Sequence, residues 1–143
     1  MIVLEWVWIS EDSKMGKLIF FTACLFFSYK TSASSVDYDC SVRDFTIFSD
    51  WGDDSFVKKN LKTRFVLSLR DSEIIVTSIS DYFDSSTDVL KIYDRDNNYN
   101  VKAMNQSSGG YLFLAEDSGK AVYSYLNSMF ANSWQLSCKK TVG

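Results

Sequence analysis

Histidine and proline are both absent from this chain, and only six of its 143 residues are glycine. Without histidine it lacks the commonest general base near neutral pH and the commonest metal ligand. Ser-His-Asp, Cys-His and His-Glu-x-x-His sites are thereby excluded. Without proline, the turns fall to Gly, Asn, Asp and Ser. No long basic run occurs and the formal net charge is −3, so nucleic-acid binding, which needs clustered cations against phosphate, is not expected. The longest apolar run, Leu18 to Phe27, falls far short of the ~20 residues of a membrane-spanning helix.

That run has the makings of an export signal instead. From Met15, Lys17 supplies a basic start, Leu18 to Phe27 an apolar segment broken only by Thr22, and Ala33-Ser34-Ser35 small residues where a signal peptidase cuts. Cleavage after Ser35, or one or two residues earlier, is predicted to leave a chain beginning near Val36. Residues 1–14, MIVLEWVWISEDSK, put Glu5, Glu11 and Asp12 where a signal needs positive charge. They read as a translated leader upstream of a start at Met15. Phe21-Thr22-Ala23-Cys24 has Phe where a lipidation box carries Leu, so Cys24 reads as an ordinary residue of the signal. The sequence thus divides into a leader (1–14), a signal peptide (15–35) and one β-domain (36–143). The expected location is the periplasm or the medium.

Two cysteines remain after such processing, Cys40 near the start and Cys138 near the end. In an exported chain an even pair reads as a disulfide. It would close nearly the whole domain into one loop, worth about 4–5 kcal/mol in the chain-entropy account. That is a large share of a small domain's stability.

From Val36 onward, short alternating or β-branched runs are separated by turn residues roughly every ten positions, an all-β pattern. Tyr38, Cys40 and Val42 alternate, followed by Phe45 and Ile47. A short helix is predicted over 55–61, capped by Asp53, Asp54 or Ser55. Phe65, Leu67 and Leu69 alternate with polar neighbours, and after Asp71-Ser72 a return strand runs from Glu73 to Ile79. Asp81 to Asp88 reads as a loop. Further strands are predicted at Val89–Tyr93, Tyr99–Met104, Tyr111–Ala115, Ala121–Leu126 and Ser133–Lys139. The last carries Trp134, Leu136 and Cys138 on one face. The fold class is therefore all-β: an antiparallel meander of about eight strands, with at most one short helix. Closing or partly closing into a small barrel removes the exposed edges, and a Cys40–Cys138 bridge would set the first and last strands side by side.

Tyr38-Asp39-Cys40-Ser41-Val42 directly after a signal, the Phe65 to Ile75 hairpin and the terminal Cys138-Lys139 together resemble a group of small secreted all-β proteins of Gram-negative bacteria. That group has no established activity. The resemblance implies an exported β-fold and no chemistry.

Candidate sites are few. Asp94-x-Asp96-x-Asn98-x-Asn100 opens like a calcium loop, but Tyr99 replaces the turn glycine and Asn105 the bidentate Glu, so it reads as a hairpin turn. Asp50, Asp53 and Asp54 beside Trp51, and Asp81, Asp84 and Asp88, are carboxylate groups on expected loops. Nothing marks either group as a glycosidic acid/base pair. Asn105-Gln106-Ser107 matches a glycosylation acceptor. Most aromatics, among them Tyr93, Tyr111, Tyr123 and Trp134, read as core and cross-strand pairs. The binding candidates are the loop residues Trp51, Asp53, Asp54, Tyr82 and Phe83.

No catalytic constellation, metal site or cofactor motif emerges, and a non-enzymatic binding domain for a protein or small ligand is the expected function. Two alternatives are an inhibitor of a cell-wall hydrolase such as lysozyme, met by the acidic loops, and a lipocalin-type carrier of a small ligand. The abundance of bulky residues predicts a filled barrel interior, which weighs against the carrier.

Overall fold

A computed structural model describes residues 35–48 and 52–141. The leader and signal readings, Cys24 and the binding candidate Trp51 lie outside the described residues. The domain is a closed eight-stranded barrel in which each strand pairs antiparallel with the next and the last with the first. The strands are β1 (Val36–Phe48), β2 (Arg64–Leu69), β3 (Glu73–Ile79), β4 (Ser86–Arg95), β5 (Asn100–Asn105), β6 (Gly110–Ala115), β7 (Lys120–Leu126) and β8 (Ala131–Thr141). One helix, α1 (Asp54–Asn60), joins β1 to β2. Among the described residues the all-β reading, the strand count and the expectation of at most one short helix are borne out.

Period-two alternation builds the wall. On β2 it buries Phe65, Leu67 and Leu69, on β3 Ile74 and Val76, on β6 Leu112 and Leu114. In β1 the phase shifts at a bulge between Val42 and Asp44, so that Phe45 is buried rather than Asp44. This accounts for the break in alternation after Val42. The β1–β8 ladder runs from Asp37 opposite Thr141 to Phe48 opposite Ala131, with Cys40 directly opposite Cys138. Their disulfide spans 98 residues of sequence and pins the seam where the barrel closes.

The barrel has two unlike ends. One carries the tight β2–β3, β4–β5 and β6–β7 turns, and here Leu67, Leu69, Ile74, Val76, Leu90, Val101, Leu112 and Leu114 are all buried inside the barrel. At the other end, beneath α1, the inward positions change character. Val76 is followed by Ser78, Leu90 is preceded by Asp88 and Ser86, Leu112 by Gly110, and Trp134 by Asn132. Small and polar residues thus replace aliphatic ones in the same rows. The expectation of a filled interior holds for the first end and fails for the second.

Two local expectations also change. β4 begins at Ser86, so Asp88 belongs to a strand rather than a loop: it continues the inward row of Leu90 as a polar member. Tyr99 sits in the β4–β5 turn with a positive φ of 59°, one residue before β5. In that turn Asp96 accepts from the Asn98 and Asn100 amides at 2.8 and 2.9 Å, while Asp94 pairs with Lys102 at 2.7 Å. The would-be calcium ligands are spent on the hairpin.

Candidate functional site

The unfilled end contains a cavity of about 420 Å³, within the usual range for small-molecule sites. Seven of its lining side chains are aromatic: Phe56, Phe65, Phe83, Tyr123, Tyr125, Phe130 and Trp134. Its floor is a mutually packed triad. Tyr123 stacks on Trp134 with ring centres 5.6 Å apart, and Phe65 meets Trp134 at 5.6 Å and Tyr123 at 5.8 Å. The sides are two pairs, Phe56–Phe83 at 5.6 Å and Tyr125–Phe130 at 6.2 Å.

The helix is part of this wall. Asp53 caps it by accepting from the Phe56 amide at 2.7 Å, which satisfies an orphan donor of the first turn. At its other end the buried Asn60 donates to the Phe56 carbonyl at 3.0 Å and accepts from the Trp134 indole at 3.2 Å. A single amide therefore ties helix, floor and β8 together.

Polar groups are concentrated on one side. Asp88 is half-buried, and its carboxylate accepts from Asn105 Nδ2 at 2.8 Å, from the Ser108 hydroxyl at 2.9 and 3.0 Å, and from the Tyr123 hydroxyl at 3.1 Å. Burial first, and then the negative charge of Asp88, push the Tyr123 phenol far above its ordinary pKa. Gly110 makes this arrangement possible: any side chain there would run into the Asp88 carboxylate and Leu90. Ser78 and Ser86 face each other across the wall at 2.8 Å. Two lining atoms, Thr63 Oγ1 and Asn132 Oδ1, are buried without a partner among the described residues.

Of the sequence-derived binding candidates among the described residues, only Phe83 lies in this cavity. Asp53 is used as a helix cap. Asp54 and Tyr82 share a separate outer groove with Lys58, Lys59 and Lys62, where the Lys62 ammonium lies 5.5 Å from the centre of the Tyr82 ring. The site residues that the loop criterion missed are Asp88, Tyr123, Trp134, Asn60 and Thr63. Asn105, read as a glycan acceptor, has its amide nitrogen turned onto Asp88. Among the described residues no group of three or more acidic or cysteine side chains is placed to hold a metal ion, and no helix is long and apolar enough to cross a membrane. No protein-family model, curated protein or solved structure matches the chain.

Proposed function

We propose that this protein is an exported, non-enzymatic binding domain that holds one small, largely apolar ligand in the open end of its barrel. The observation that carries this is the aromatic cavity itself. An eight-stranded barrel is just wide enough either to fill with side chains or to keep one small ligand, and here the filling stops halfway. Burying apolar ligand surface there is favourable by roughly 25 cal/mol per Å², and the packed triad and the Asn60 ties pre-organise the wall. Export is supported by the disulfide, which belongs to an oxidising compartment, and by the signal-like Met15–Ser35 segment.

The test is calorimetry with neutral aromatic alcohols on the wild type and on Ser78→Phe, which puts a ring into the cavity from the β3 side. Saturable one-to-one binding by the wild type, lost in a folded Ser78→Phe, is the expected result. No binding by the wild type, or equal binding by both, contradicts the proposal.

A further inference from the structure

From the charge and hydrogen-bond inventory of the cavity we infer that its ligand is a small organic ammonium: a protonated amine carried on an aromatic or alkyl body. The inference rests on the carrier reading and specifies the chemistry of its ligand.

Three independent features converge. Among the described residues, the only ionisable lining side chains other than phenols are Asp84 and Asp88, and no Lys or Arg lines the cavity. Neither carboxylate forms an ion pair among the described residues. An anionic ligand would meet repulsion with nothing to offset it, and a neutral one would leave that charge unused.

The second feature is the aromatic wall. Ring faces carry negative electrostatic potential and attract cations, most of all where water is excluded. Tyr123, Trp134 and Phe65 line the same cavity as Asp88, with Tyr123 joined to it directly. The third is the orphaned pair. Thr63, 6% exposed, and Asn132 each hold a buried oxygen without a partner among the described residues. Buried polar atoms are rarely left so, and an ammonium brings N–H donors for them. The Asp88 oxygens already accept from three side chains, so this carboxylate contributes its charge rather than a free lone pair.

The experiment compares three probes of one shape, phenethylammonium, its neutral alcohol and the corresponding phenyl carboxylate, by calorimetry on the disulfide-bonded protein. The ammonium should bind about tenfold or more tighter than the alcohol, as a desolvated cation–π contact backed by a carboxylate allows, and the carboxylate weakest. Asp88→Asn should shrink the ammonium-to-alcohol ratio severalfold, whereas Asp96→Asn, in the turn at the far end, should not change it. Should Asp88→Asn fail to fold, the three-probe order on the wild type decides alone. Alcohol binding as tight as the ammonium, or a preference for the carboxylate probe, overturns the ammonium inference and leaves the carrier reading intact. No binding by any probe overturns both.

Discussion

The Tyr123 hydroxyl donates to Asp88 Oδ2 at 3.1 Å, linking the aromatic floor of the cavity to its one inward strand carboxylate. Ser108 and Asn105 donate to the same carboxylate. Removing the acceptor therefore strands three donors, and leaving buried groups unpaired costs more than the bonds contribute. Asp88→Ala should lower unfolding free energy by about 1–3 kcal/mol, and Tyr123→Phe, which loses one donor of three, by about 1 kcal/mol. Urea denaturation measures both, and a smaller loss for Asp88→Ala than for Tyr123→Phe would contradict this arrangement.

Gly110 is the steric partner of that carboxylate. A methyl group at this position meets both Asp88 and Leu90, so the strand or the carboxylate must move. Overpacking of this kind costs about 1–3 kcal/mol. Gly110→Ala should be destabilised by that amount and should bind cavity ligands more weakly. Unchanged stability and unchanged binding would show that Asp88 does not occupy this space.

At the closed end, burial and the Glu116 carboxylate, 3.1 Å from the hydroxyl, push the Tyr38 phenol up from 10.0 to about 12. The folded chain then retains a proton that the unfolded chain gives up. This contribution to stability is whole below the unfolded value and is lost as the pH rises through the folded one. Tyr123 acts in the same direction. Stability should fall between about pH 10 and pH 12, and the slope should be shallower in Tyr38→Phe. Denaturation midpoints across this range, with tyrosinate absorbance followed in parallel, provide the check.

The bridge at the β1–β8 seam closes a 98-residue separation. Reduction, or the double change Cys40→Ala with Cys138→Ala, should lower stability by up to about 4–5 kcal/mol. Intact mass of protein recovered from the periplasm or medium should show a chain beginning near Val36 that gains two protons on reduction. A recovered chain that keeps residues 1–14, or carries a lipid on Cys24, would contradict the export scheme.

Strand order, barrel closure and the seam were legible because alternation and cysteine placement are local and additive signals. Phe65, Leu67 and Leu69 announce one buried face, and Trp134, Leu136 and Cys138 another. The cavity was not, because it is built from what fails to fill. Ser78, Ser86, Asp88 and Gly110 look like turn chemistry in sequence, and only the inward row of each strand shows that they stand where aliphatics would otherwise close the barrel. The row Ser86-x-Asp88-x-Leu90-x-Ile92 carried that signal. Reading Asp81 to Asp88 as one loop erased it. A loop criterion finds Phe83 and alternation places Trp134 in the core, yet both line the same space.

A small ligand held in the cavity sits against Trp134. Bromine quenches indole fluorescence on contact, so a neutral bromobenzyl alcohol titrated into the processed Trp51→Phe chain reads Trp134 alone. The account predicts saturable, one-to-one quenching that an unbrominated aromatic alcohol reverses by competition. Quenching that rises linearly with concentration, as for free tryptophan in solution, would contradict it.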